Sequence, residues 1–306
     1  MKIINIDHPF LLNNETAATV GFFDGVHRGH RFLLEQLKIQ ADTHKLPSMV
    51  ITFMQYPQSV LQPEIRPELL NTFNERIYRL SLSEIDYCLF LDFTQQLSQL
   101  SAKEFIQKKL KAELNVKLLL IGHDHRFGKN RTENFEDYTK YGKECGMEIV
   151  RASEFPDVSI SSTYIRNCLS ERKLKESNLM LSYNYRLEGK VIEGNRLGNK
   201  IGFPTANIEV NDKNKIIPGE GVYAAWVHCE QNKYGGMVYI GKRPTVAAFG
   251  EKRIEIHLFD FSGDLYGKTL QLEFVEFLRE DKQFKSVEEL RKQLCADREA
   301  AVAVLK

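Results

Sequence analysis

Two folds in series are predicted from this chain: a doubly wound α/β domain on a mostly parallel sheet over residues 1–182, then a small antiparallel β-barrel with a terminal helix over 183–306. Three observations lead there. Through the first ~170 residues, short apolar runs rich in β-branched side chains alternate with stretches of helical periodicity. A polar stretch from Glu171 to Ser182 then breaks the pattern. Beyond it, runs with strand character follow one another across Gly, Pro and Asn turns, with no amphipathic helix between them.

In the first half the expected strands are Ala17 to Phe22, Met49 to Phe53, Tyr87 to Asp92, Lys117 to Ile121 and Glu148 to Ala152. Phe32, Leu33, Leu37 and Ala41 form one apolar helix face, and Ser101-Ala102-Lys103-Glu104 is a capping box opening a helix that carries Phe105 and Leu110. In the second half the strands are Tyr185 to Ile192, Gly221 to His228, Gly236 to Ile240, Arg253 to Phe259 and Thr269 to Phe277. A capping box at Ser286-Val287-Glu288-Glu289 opens the last helix, with Leu290, Leu294 and Ala301 on its apolar side.

At 306 residues with 42% apolar content the chain has the size of two domains. Lys plus Arg total 42 against 41 Asp plus Glu, which leaves no global field to draw nucleic acid or an acidic membrane surface, so anion binding is local. The 5 cysteines are scattered, odd in number and form no C-x-x-C pair. That argues against a disulfide framework or a thiolate zinc site and for a reducing cytoplasm. No signal peptide or membrane-spanning stretch is expected.

The run Gly21-Phe22-Phe23-Asp24-Gly25-Val26-His27-Arg28-Gly29-His30 follows a predicted strand and opens a helix. A Gly-rich turn there delivers backbone N–H groups and a helix N-terminus to one point, where phosphate is favoured. His27 and His30 would face one side and donate hydrogen bonds to phosphate oxygens. Further on, Gly122-His123-Asp124-His125-Arg126-Phe127-Gly128-Lys129 leaves another strand and Ser161-Ser162-Thr163-Tyr164-Ile165-Arg166 opens another helix. Three hydroxyls and an arginine one turn inside are read as a phosphate clamp, with an N-cap cluster as the structural alternative. A zinc site from His27, His30, His123 and His125 is a competing reading, weakened because no aspartate pair or thiolate completes it.

The first run resembles the G-x-F-D-G-x-H-x-G-H motif of the nucleotidyltransferase superfamily, and Ser161 to Arg166 resembles its S-S-T-x-I-R loop. The resemblance implies a Rossmann-like nucleotidyltransferase domain in which Gly21, Phe22, Asp24, Gly29, Asp124, Ser161, Ser162 and Thr163 bind nucleotide and His27, His30 and Arg166 carry catalysis.

In the second half, Gly194, Gly198 and Gly202 lead to Phe203-Pro204-Thr205-Ala206-Asn207, where a rigid proline precedes a hydroxyl and a side-chain carbonyl at alternating positions. Such oxygen ligands suit Mg²⁺ on ATP phosphates, although an edge strand starting at proline explains the same residues. Gly263-Asp264-Leu265-Tyr266-Gly267-Lys268-Thr269 imitates a P-loop but is one residue short between its glycines and leads into a strand. The runs Pro218 to Tyr223, Ile240 to Thr245 and Ile254 to Gly267 occur in the order and spacing that resemble riboflavin kinase.

Together the two motif sets resemble the bifunctional bacterial riboflavin kinases and FAD synthetases over almost the whole chain. The resemblance implies riboflavin, FMN and ATP as substrates, Mg²⁺ as cofactor, Gly202, Thr205 and Asn207 as nucleotide or metal contacts, and Glu255 as the kinase base. Alternation alone sets Glu255 and His257 opposite Ile254, Ile256 and Leu258 without choosing a role for either. A monomer or weak homo-oligomer without nucleic-acid or membrane partners is expected. Four positions depart from the family pattern: Gln55 and Tyr56 where Pro-His is usual, Asn199 where an arginine is common, and Tyr239 where an asparagine often stands. The rival functions are a single-activity nucleotidyltransferase with a flavin-binding regulatory barrel, and a zinc hydrolase.

Overall fold

The computed structural model describes residues 1–4, 8, 14–64, 66–123, 125–157, 160–193, 201–242 and 252–306. The chain divides into two compact units, Met1–Ser161 and Ser162–Lys306.

The first unit is built on a six-stranded sheet in the order β1-β4-β3-β2-β5-β6, with β1 Lys2–Ile4, β2 Thr16–Val20, β3 Ser48–Phe53, β4 Tyr87–Leu91, β5 Val116–Ile121 and β6 Glu148–Arg151. Every pairing is parallel. All residues of β2 and β3 are buried, because side chains on both faces are covered, which is why these strands read as continuous apolar runs. One face packs Ala18, Met49, Ile51 and Leu119 against Phe105, Ile106 and Leu110 of the helix Ala102–Glu104, which continues through Phe105–Glu113 in wider, π-type turns. The other packs Ala17, Val50, Cys88, Leu118 and Leu120 against Leu34, Leu37 and Ala41 of the helix Arg28–His44. Leu34, absent from the expected apolar face, is buried in place of Phe32, which instead meets Phe155 at 5.3 Å on the outer side.

The order of strands fixes the site. From β2 the chain steps to β3 and then β4 on one side, whereas β5 and β6 lie on the other. Neighbours β2 and β5 therefore send their following segments to opposite faces, leaving a crevice beyond their carboxyl ends. The glycine-rich runs at Gly21 and Gly122 both leave strands at that crevice.

The second unit is a closed barrel in the order β10-β11-β8-β7-β12-β9, formed by β7 Arg186–Ile192, β8 Ala206–Val210, β9 Gly221–Cys229, β10 Asn232–Lys242, β11 Lys252–Leu258 and β12 Thr269–Arg279. All its pairings are antiparallel. Alternation is clean: Leu187 and Val191, Ile254 and Ile256, and Leu270, Leu272 and Phe274 are buried. Strand β8, missing from the expected set, closes the barrel between β7 and β11. The helices Ser162–Ser170 and Leu174–Leu181 fall in this unit, so the division comes ahead of the polar stretch at Glu171–Ser182. Asn178 explains the attachment, since it donates to the Phe274 carbonyl at 3.0 Å and accepts from the Tyr185 amide at 2.8 Å.

The terminal helix Val287–Val304 covers the outer side of the barrel through Ala301 and Leu305, packed with Phe203, Met237 and Phe259. Only half of its expected capping box forms: Ser286 accepts from the Glu289 amide, whose carboxylate takes the Lys285 amide instead. Asp297, 3% exposed, grips Arg279 of β12 with both oxygens, at 2.9 Å to Nε and 2.7 Å to Nη2. A bidentate, buried pair of this kind fixes the angle of the helix as well as its attachment.

Candidate active sites

The turn leaving β2 is strained. Phe23 (φ 58°), Gly25 (φ 81°) and Val26 (φ 39°) all have left-handed backbone, at a cost of order 1–3 kcal/mol for each non-glycine residue. Surrounding groups hold it there. Asp24, 4% exposed, accepts from the Leu70 amide at 3.0 Å and the Asn71 amide at 3.1 Å. The Phe22 carbonyl takes Thr52 Oγ1 at 3.2 Å and Arg76 Nη1 at 3.0 Å. Arg76 also donates from Nη2 to the Phe53 carbonyl at 2.6 Å, and its guanidinium lies 3.9 Å over the Phe22 ring. Burial lowers the Arg76 pKa to about 10, and the negative charge of Asp24 opposes that shift.

This scaffold aims the start of the helix Arg28–His44 at the crevice. His27 is its N-cap, with Nδ1 accepting from the His30 amide at 3.4 Å. A nitrogen that accepts carries no proton, so the remaining proton of neutral His27 sits on Nε2, available as a donor. Burial pushes the His27 pKa down to about 4, and pushes His30 well below its ordinary value, with His27 and His125 adding to the effect. The imidazoles are therefore neutral at pH 7. Among the described residues His30 Nδ1 is a buried nitrogen without a hydrogen-bond partner, an unmet polar group at the start of a helix.

His125 joins from the loop after β5, with a pKa lowered to about 4 by burial and then by Arg131. That loop is anchored at both ends. The His125 amide donates to the Gly122 carbonyl at 3.0 Å. Phe127 stacks on Tyr138 at 4.4 Å, and Tyr138 Oη accepts from the Phe127 amide at 3.2 Å. Gly29 lies against the His27 ring: a Cβ there would come within 3.3 Å of it and 4.0 Å from the Ile160 carbonyl. Ile160, and with it Ser161, thus reaches the helix start. Ser162, Thr163 and Arg166 belong to the second unit, where Arg166 Nη2 donates to Thr163 Oγ1 at 3.1 Å. His123 stands 3.9 Å from Glu154, and Asp124 lies outside the described residues. Among the described residues no group of three or more His, Cys, Asp or Glu is arranged to hold a metal ion.

The second site lies on the outer face of the barrel. Antiparallel register sets Glu255 of β11 opposite Asn207 of β8 and, on its other side, Tyr239 of β10. Residues directly opposite share a face, so the three form one row across three strands. Glu255 Oε2 accepts from Thr205 Oγ1 at 3.2 Å, and Oε1 pairs with Arg253 Nε at 2.5 Å. The same Nε reaches Asn207 Oδ1 at 3.3 Å. Gly202, in the segment before Thr205, has φ +82° with open space around it, so backbone conformation rather than room demands glycine there. Pro204 offers its carbonyl to His257 Nδ1 at 2.8 Å. Gly194, Gly198, Asn199 and the stretch Arg243 to Thr245 lie outside the described residues.

Comparison with known proteins agrees with both halves. The FAD synthetase family model matches residues 11–164 and the riboflavin kinase family model residues 181–305. The bifunctional riboflavin kinase/FMN adenylyltransferase of Escherichia coli K12 is 36% identical over 282 residues, covering 91% of this chain and 89% of that protein. Its counterpart in Pseudomonas fluorescens is 36% identical over 94% of this chain and 92% of its own length. The chain belongs to the bifunctional riboflavin kinase/FMN adenylyltransferase family.

Among solved structures, one described as a macrolide-efflux protein from Streptococcus pneumoniae superposes with a TM-score of 0.86 at 31% identity, covering 98% of both chains. Among the described residues of this chain no helix is long and apolar enough to cross a membrane. Within the family framework two departures acquire a structural meaning. Tyr56, where histidine is usual, meets the Phe22 ring edge-on at 5.0 Å. Tyr239, where asparagine often stands, donates to Asp281 Oδ2 at 3.1 Å, and its ring occupies the space a side chain at Gly241 would need.

Sequence reading missed two residues that build the sites. Arg76 sits in a helix, Phe73–Ser81, whose Thr72/Glu75 capping box marks its start, but nothing local marks its arginine as 2% exposed. Arg253 precedes Glu255 by two positions on a strand, and that spacing alone places them on one face.

Proposed function

We propose that the barrel unit phosphorylates riboflavin to FMN with ATP and that the α/β unit transfers AMP from a second ATP to FMN, giving FAD and pyrophosphate. What supports this reading above all is that one chain carries two built sites, each in the half matched by the corresponding family model.

In the kinase step Glu255 takes the proton of the ribityl 5′ hydroxyl as that oxygen bonds to the γ-phosphorus, and the bond from phosphorus to the ADP oxygen breaks. Thr205 Oγ1 and Asn207 Oδ1 would hold Mg²⁺. They are hard, neutral oxygens beside a carboxylate, the donor set for a cation that arrives with nucleotide phosphates rather than one caged by protein alone. When bound, the ion offsets charge on the phosphates.

In the adenylyl step an FMN phosphate oxygen attacks the α-phosphorus and pyrophosphate leaves, so no covalent enzyme intermediate is needed. Neutral His27 and His30 donate to phosphate oxygens as charge shifts onto the leaving group, together with the helix N–H groups. Gly21, Phe22, Asp24 and Gly29 shape this cradle, Asp24 by fixing the Leu70–Asn71 amides. The resemblance of Ser161 to Arg166 to the S-S-T-x-I-R loop is what assigns Ser161, Ser162, Thr163 and Arg166 in this proposal as hydroxyl donors and a cation for the ATP phosphates. The unpaired state of all five cysteines fits a cytoplasmic enzyme, and we propose a monomer or weak homo-oligomer.

A product time course with riboflavin, ATP and Mg²⁺ tests the reading. FMN that appears and then converts to FAD is expected. FMN alone would remove the adenylyl step, and no product from riboflavin or from added FMN would overturn both.

A further inference from the structure

We propose that Arg253 is a positioning residue of the kinase site, which fixes the Glu255 carboxylate and the Asn207 amide relative to one another for phosphoryl transfer. The inference rests on the kinase reading of this site and adds a residue to it.

Glu255 projects from the outer face of β11, where a free glutamate side chain samples many rotamers. Ordering such a side chain costs rotamer entropy, so a carboxylate that must meet one hydroxyl needs partners that settle it beforehand. Thr205 supplies one through Oγ1 at 3.2 Å. Arg253 supplies the other, and from a single Nε–H it reaches both Glu255 Oε1 at 2.5 Å and Asn207 Oδ1 at 3.3 Å. The second contact crosses from β11 to β8, so the guanidinium ties together two strands at the row where base and metal ligand stand opposite each other.

The surroundings favour this role. The Glu255 side chain is 18% exposed and that of Arg253 30%, so the pair is partly sheltered from water, which strengthens its attraction relative to a surface ion pair. Opposite Arg253 on β10 stands Gly241, and the Tyr239 ring fills the volume a side chain at 241 would take. Tyr239 is in turn tied to Asp281. The guanidinium is thus walled on its β10 side by an anchored ring. Arginine suits the task because it stays charged and its planar head is stiff, whereas a lysine ammonium is a rotating point donor on a flexible stem.

Arg253→Ala and Arg253→Lys, assayed for riboflavin phosphorylation and for FMN adenylylation, test the proposal. A misplaced reacting group loses on the order of 10²-fold. Arg253→Ala is therefore expected to lower kcat for FMN formation by about that factor while KM for riboflavin and ATP stays within about threefold. Arg253→Lys is expected to fall between, and FMN adenylylation to be unchanged. Independently of turnover, the Asn207 side-chain amide resonance should shift in Arg253→Ala, with Trp226 fluorescence confirming a folded barrel. An unchanged kcat, an unmoved Asn207 signal, or a loss confined to KM for ATP would overturn the proposal while leaving the kinase reading standing. A wild-type protein that forms no FMN would remove both.

Discussion

The imidazole rings of His27 and His30 stack at 3.7 Å with an interplanar angle of 18°. Two imidazoles in face-to-face contact repel if both are protonated, and burial already opposes charging either one. The N-terminus of the helix Arg28–His44, which carries its own partial positive charge, adds to that resistance. Burial and stacking thus keep the pair neutral, so that it meets an anion through N–H donors rather than as imidazolium.

Stability of the first unit is expected to fall on mild acidification. Burial lowers the His27 pKa from 6.5 to about 4. Between those values the unfolded chain binds the proton and the folded chain does not, so unfolding takes up a proton and stability drops as pH falls. The contribution is complete above the unfolded value and lost as pH approaches 4. From pH 7 to 5 the loss from His27 alone is roughly 2 kcal/mol, and His125 shifts in the same direction. The single tryptophan, Trp226, lies in the barrel. Urea unfolding followed by far-UV circular dichroism should show a transition that weakens from pH 7 to pH 5 more than the one seen by tryptophan fluorescence, and His27→Gln should reduce that difference.

His30→Ala is expected to lower FAD formation from added FMN by about 10²–10³-fold, the usual loss for one donor aimed at developing charge. FMN formation from riboflavin should be unchanged, because no residue of the barrel row depends on His30. Separate assays of the two steps check this, and a folded variant that loses both activities would refute independent sites.

The elements legible in the sequence are those whose burial follows a simple period. Strands β2 and β3 read as unbroken apolar runs because both faces are covered, and β7 and β11 read as alternation because one face is the barrel core. Strand β1 did not, since three residues paired only with β4 carry too little pattern. Strand β8 was hidden behind Pro204, where a rigid turn and a strand start look alike. In the sites, the glycines and histidines were legible because turn chemistry is local. The role of Asp24 was not, because its partners, the Leu70 and Asn71 amides, come from a distant part of the chain. Buried Arg76 and Asp297 break the rule that charged residues mark a solvent face, and only their tertiary partners explain them.

Gly128→Ala is expected to impair FAD formation while sparing FMN formation. Gly128 has φ +89°, and a Cβ there would lie 2.6 Å from the Ala102 backbone nitrogen, at the start of a helix that cannot yield as a side chain would. The backbone conformation and the clash each disfavour alanine, together at a cost of about 1–3 kcal/mol or more. The loop it terminates carries His125 to the His30 ring, so its displacement should raise KM for ATP in the adenylyl step, as measured by initial rates with FMN.

Glu255→Gln separates chemistry from binding in the barrel. Glutamine has the same shape and keeps an oxygen for Thr205 Oγ1 or Arg253 Nε, so the row should remain assembled. It cannot take a proton from the ribityl hydroxyl. Loss of a general base lowers turnover by about 10²–10⁴-fold, and kcat for FMN formation is expected to drop in that range with riboflavin affinity, read by quenching of flavin fluorescence, retained. A variant with full kinase activity would mean that the carboxylate only organises Thr205 and Arg253, and that the hydroxyl proton leaves by another route. The same outcome would weaken the case that this face of the barrel, rather than another, is where the phosphoryl group moves.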